Sequence, residues 1–87
     1  MQIFYSGHVH GVGFRYTVKT TATGFEVTGF VRNLPDGRVE LVVEGAPEEL
    51  EAFRQGIRES GLEGCIRNED VAFSAATGEF RGLEIVS

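Results

Sequence analysis

The chain has 87 residues, 41% hydrophobic and 24% charged, an ordinary globular balance that excludes disorder and leaves room for one core and a single domain spanning 1–87. Its net charge is −5, which argues against nonspecific nucleic-acid or anionic-membrane binding, because that attraction rests on clustered positive charge. The charge is divided unevenly, four Lys/Arg against two Asp/Glu in residues 1–38 and four against eleven in 39–87, which leaves the N-terminal half open to a small anion.

The opening "QIFYSG" is short, apolar and aromatic and stops at Gly7, as a first strand does. A glycine-rich stretch follows. "GHVHGVGFR" puts three glycines, two histidines and one arginine into residues 7–15. From Phe14 onward, Phe14, Val18, Ala22 and Phe25 fall on one helical face, with Gly24 near the C-terminal cap. The same segment, "FRYTVKTT", also alternates apolar and polar residues and holds mediocre helix formers, so propensity alone leaves a strand open.

Two alternating segments come next, one through Phe25, Val27, Gly29 and Val31, the other through Val39, Leu41 and Val43. Between them "NLPDGR" carries Pro35, which presets φ, and an Asp-Gly pair that tolerates positive φ, so the two segments read as a hairpin. Pro47 suits a first helical position, Glu48, Glu49 and Glu51 complement the positive end of the dipole, and Leu50, Phe53 and Ile57 form an apolar stripe. That second helix is expected to end near Gly61, and Gly56 inside it costs about 1 kcal/mol against alanine with no reason legible in the sequence. "VAFSA" and "FRGLEIVS" read as two last strands around a turn at Thr77-Gly78. With the first ambiguous segment helical, the order is a ferredoxin-like split βαβ sandwich of the α+β class, an antiparallel sheet with two helices on one face. Phe4, Phe14, Phe30, Phe53 and Phe73 are expected in its core.

A glycine-rich loop between strand and helix lets backbone N–H groups converge, and the helix N-terminus adds partial positive charge. Arg15, in the first helical turn, brings a planar guanidinium that matches two phosphate oxygens. The stretch lacks the Lys-Ser/Thr ending of a nucleotide P-loop, so nothing points to ATP or GTP. His8 and His10 have no third partner in the sequence for a metal, so no metal site is expected there. Asn33 alone reads as a turn former. Cys65 cannot form an internal disulfide and has no activating motif beside it. With no basic-plus-apolar leader or long apolar run, a reducing cytoplasm is the expected location.

"GHVHGVGFR" resembles the acylphosphatase signature Gly-x-Val-x-Gly-Val-x-Phe-Arg, and "TGFVRNLPDGRVELVVEG" resembles that family's second signature. Ala22 and "FRGLEI" are similar to the family as well, and the resemblance runs the length of the chain. It implies the ferredoxin-like fold, which favours the helix from Phe14, and hydrolysis of the carboxyl-phosphate bond of acyl phosphates without metal or organic cofactor. It also implies Arg15 as the phosphate-binding arginine, Asn33 as the water-positioning asparagine, and backbone N–H groups around Val9, His10, Gly11 and Val12 as holders of the phosphoryl oxygens. The expected partners are a small acyl phosphate and inorganic phosphate, with no nucleic acid or membrane, and the expected state is a monomer. The family commonly has glutamine where His10 stands and often arginine where His8 stands. The alternative is a noncatalytic anion-binding regulatory or accessory domain of the same fold.

Overall fold

The computed structural model describes residues 1–11 and 13–86. Strand β1 (Gln2–Gly7) leads into helix α1 (Phe14–Ala22), then β2 (Thr28–Asn33), β3 (Val39–Glu44), helix α2 (Pro47–Ile57), β4 (Ile66–Ala72) and β5 (Leu83–Ile85). The strands form one sheet in the order β4-β1-β3-β2-β5. Strand β3 runs antiparallel to both β1 and β2, so β1 and β2 run the same way and end at the same edge. Gly7 at the end of β1 and Asn33 at the end of β2 therefore flank the start of β3.

The segment from Phe14 is helical because its apolar residues recur at helical spacing and find a partner layer: Phe14, Val18 and Ala22 are buried against Leu50, Phe53 and Ile57 of α2 and the inner sheet face. Tertiary burial of about 1.5–3 kcal/mol per large side chain outweighs the weak propensity of its threonines. On β1 and β3, Ile3, Tyr5, Val39, Leu41 and Val43 point inward and are fully buried. Strand alternation sends Gln2, Phe4, Val42, Phe30 and Arg32 to the other face. Phe4 and Phe30 are thus half-buried outside the core, and Phe73 is 71% exposed, contrary to the expectation for these three rings. Phe14 and Phe53 are core residues as expected.

The last two strands differ from the sequence reading, and the end of the second helix agrees with it. Strand β4 covers Ile66–Ala72 rather than "VAFSA", because Gln2 to Ser6 of β1 pair in register with Ala72 back to Asn68; pairing overrides the polar look of "RNED". The last strand is only Leu83–Ile85 and lies parallel to β2, so the sheet is mostly, not wholly, antiparallel. Helix α2 is followed by one wide turn, Arg58–Leu62, in which Gly61 has φ +97°, so the helical path does stop at Gly61. Among the described residues no helix is long and apolar enough to cross a membrane.

Candidate active site

The loop after β1 and the turn after β2 meet at the sheet edge where both strands end. Val9 is 1% exposed and anchors the loop in the core. Gly11 and Gly13 then take φ +74° and +73°, a left-handed conformation that glycine enters without penalty. Gly13 is the N-cap of α1 and makes no side-chain cap, and no acidic residue lies in the first turn. The first N–H groups of α1 have no intrahelical acceptor, and they carry the positive end of the helix dipole.

Asn33 reaches the same place by strand parity. Val31 is buried under the helices, and Asn33, two residues on, shares its face. Arg32 between them points to the open face, where its Nε donates to Glu40 Oε1 at 2.6 Å and Gln2 Nε2 donates to Glu40 Oε2 at 2.7 Å. The Asn33 Oδ1 atom is buried and has no hydrogen-bond partner among the described residues. A buried amide oxygen in that state costs about 1–3 kcal/mol unless a small polar molecule satisfies it.

A cleft of about 150 Å³ is walled by Val9, Gly11, Gly13, Phe14, Arg15, Tyr16, Asn33 and Ile85. Arg32, Arg38, Arg54 and Arg58 pair with carboxylates, but among the described residues Arg15 pairs with none. The cleft thus holds an uncompensated guanidinium beside a helix N-terminus and the unsatisfied Asn33. A larger cleft of about 500 Å³ lies around Met1, Val42, Leu50 and Phe73, with Glu44 and Glu51 in its wall. Those carboxylates repel anions, and the smaller cleft is where charge and open donors converge.

Of the residues expected at the site, Val9, Gly11, Arg15 and Asn33 come together here. His10 is not part of the cleft wall: its ring Nε2 lies 2.9 Å from the Arg38 carbonyl oxygen. Val12 falls outside the described residues. His8 is exposed, and its backbone N–H donates to the Cys65 carbonyl at 2.9 Å. Tyr16 and Ile85 were not expected at the site. They are exposed by 70% and 38%, and strand β5, which carries Ile85, could be placed beside β2 only through a parallel pairing that short apolar runs do not announce.

A ferredoxin-like α+β sandwich with a small cleft walled in part by Arg15 and Asn33 is thereby defined. The family model described as Acylphosphatase matches residues 1–85, and the chain belongs to the acylphosphatase family, whose activity is hydrolysis of acyl phosphates. It is 39% identical over 85 residues to the acylphosphatase of Trichormus variabilis, covering 98% of this chain and 83% of that one. The crystal structure of the acylphosphatase from Bacillus subtilis aligns with a TM-score of 0.89 at 31% identity, over 99% of this chain and 96% of that one. The crystal structure of HypF from T. kodakarensis aligns with a TM-score of 0.84 at 32% identity, over 99% of this chain but 11% of that one.

Proposed function

We propose that the cleft hydrolyses the carboxyl-phosphate bond with the loop amides around Gly11 and the N-terminus of α1 holding the phosphoryl oxygens, Arg15 gripping them, and Asn33 orienting water. The observation that carries this reading is the buried Asn33 Oδ1, which has no partner among the described residues, in one cleft with Arg15. An amide oxygen accepts from water and so turns the water's lone pair toward phosphorus. The water oxygen bonds to phosphorus as the bond from phosphorus to the acyl oxygen breaks. That bond's electron pair leaves on the carboxylate, and a water proton passes to a phosphate oxygen.

A carboxylate whose acid has a pKa of about 4 leaves without protonation, so the site needs no general acid. Rate enhancement then comes from alignment and from donors fixed where charge builds on the phosphoryl oxygens. At the mouth, exposed Tyr16 and Ile85 face the acyl group. The half-exposed thiol of Cys65, the one free cysteine, supports a reducing cytoplasm, and the reading includes a single-domain monomer.

A second reading, a noncatalytic anion-binding regulatory or accessory domain, has one observation in its favour: the same fold occupies 11% of the HypF chain. Phosphate release from acetyl phosphate decides between them. Turnover that disappears in Arg15→Ala supports the enzyme, and an inactive wild type that still binds phosphate supports the binding domain.

A further inference from the structure

The Arg38 carbonyl oxygen is shared by two donors. The Leu34 backbone N–H donates to it at 2.8 Å, and His10 Nε2 approaches it at 2.9 Å. A carbonyl oxygen only accepts, so the imidazole presents Nε2–H. Leu34 directly follows Asn33, and His10 directly precedes Gly11 in the cleft wall. One oxygen therefore ties the phosphate loop to the turn that carries the water-positioning amide. The turn end of this link is fixed in its own right: Arg38 Nε donates to Asp36 Oδ2 at 2.8 Å, the Arg38 N–H donates to Asp36 Oδ1 at 3.0 Å, and the Arg38 guanidinium lies 4.6 Å from the Phe4 ring centre.

We infer that His10 is a positioning residue that sets the distance between the phosphoryl cradle and Asn33 through the Arg38 carbonyl. This rests on the function proposed above, in which the cradle holds the phosphoryl group and Asn33 holds the water. Both sit on backbone segments that separate strands hold, and the glycines make the loop the softer of the two. In-line attack tolerates little error, since a misplacement of about 1 Å costs about a hundredfold in rate. A loop released from Arg38 still binds phosphate through its own amides and Arg15, but it no longer presents the phosphorus at a fixed distance from the water.

The test is a series at residue 10. Glutamine carries its Nε2 three bonds from Cβ, as histidine does; asparagine falls one bond short; leucine has the bulk and no donor. His10→Leu and His10→Asn are expected to lower kcat about tenfold, with the inhibition constant of inorganic phosphate within about twofold of wild type, and His10→Gln is expected to restore most of kcat. Equal kcat in all three variants overturns the inference, as does a loss of kcat matched by an equal loss of phosphate affinity.

A second measurement needs no turnover, so it separates this inference from the proposed activity. In the unliganded wild type, ¹⁵N shifts of the neutral His10 ring should report the Nε2–H tautomer, and the Nδ1–H tautomer overturns the link. An inactive wild type with the Nε2–H tautomer sinks the proposed activity and, with it, the positioning role, while leaving the hydrogen bond standing.

Discussion

Gly56 in α2 lies under the ring of Phe25: a Cβ placed there would meet Phe25 Cε2 at 3.1 Å, Phe25 Cζ at 3.2 Å and Thr21 Cγ2 at 3.3 Å. The Phe25 ring in turn packs tilted on Phe53, with centroids 5.8 Å apart. Glycine is thus what allows α2 to close on the end of α1 and the chain that follows it, at the cost in helix propensity noted from the sequence.

Gly56→Ala should lower stability by about 1 kcal/mol, the overpacking outweighing the propensity gain. In a Phe25→Ala background both ring contacts are gone and only Thr21 Cγ2, the end of a side chain that can give way, stays close, so the same change should stabilise by about 0.5–1 kcal/mol. Urea unfolding of the four proteins reads the reversal of sign. A Gly56→Ala effect of the same sign in both backgrounds would show that the ring does not set the residue.

Gly56 also marks where the sequence stops being legible. Its cost was visible, but its cause is a residue 31 positions earlier, which no local pattern links to it. The hairpin around "NLPDGR" was readable because turn chemistry is local, and Leu50, Phe53 and Ile57 because one helix makes the stripe. The placement of β4 and β5 was not, since Ile66–Ala72 is a strand through its pairing with β1 and Leu83–Ile85 through its parallel pairing with β2. At the site, Arg15 and the glycines were legible from the signature. The unpaired Asn33 oxygen, the His10 bond and the Ile85 wall depend on which strand ends share an edge.

Tyr16 and Ile85 should govern the acyl group. Each is exposed beside Arg15 in the same cleft wall, so each offers apolar surface to whatever extends from the bound phosphoryl group. The preference for benzoyl over acetyl phosphate, as a ratio of kcat/KM, should fall about five- to tenfold in Tyr16→Ser with Ile85→Ser, which corresponds to about 1–1.4 kcal/mol of lost contact. Comparing the ratio between proteins cancels the intrinsic reactivities of the two substrates. An unchanged ratio would place the acyl group elsewhere.

Tyr5 should make the protein sensitive to alkali. Its side chain is fully buried and its hydroxyl has no partner among the described residues. Burial first and the Glu69 carboxylate second push its pKa well above the ordinary tyrosine value, against the opposing Arg54 and Arg58. The unfolded chain therefore loses this proton at a lower pH than the native one. Stability is intact below the unfolded value of about 10 and falls as pH rises past it. Near pH 11 the wild type should have lost about 1.4 kcal/mol more than Tyr5→Phe, relative to each protein at pH 8. Parallel curves for the two proteins in urea unfolding would mean that the phenol ionises freely in the native state. In Tyr16→Phe, Tyr5 is the one tyrosine left of two, so absorbance at 295 nm should stay flat until the fold opens.

Arg15 and Asn33 should separate in a phosphate titration. Inorganic phosphate is the product and carries the oxygens that the proposed cradle would grip, so it should stabilise the native state by about 2.7 kcal/mol at a hundredfold excess over Kd. In the proposed mechanism Arg15 grips those oxygens, so Arg15→Ala should lose both turnover and the phosphate-induced rise in Tm. Arg15→Lys keeps the charge without the planar fork and should lose most of the turnover. In the proposed mechanism Asn33 orients water, so Asn33→Ala should lose turnover while keeping much of the rise, even though the starting Tm shifts as the turn loses a polar side chain. Each protein must be compared with itself in chloride at matched ionic strength, because bulk salt screens the surface charges whether or not a site exists. A wild type with no phosphate-specific rise at concentrations that inhibit turnover would remove the cradle. Full turnover in Asn33→Ala would reduce that residue to a turn former, and the buried Oδ1 would then need another partner.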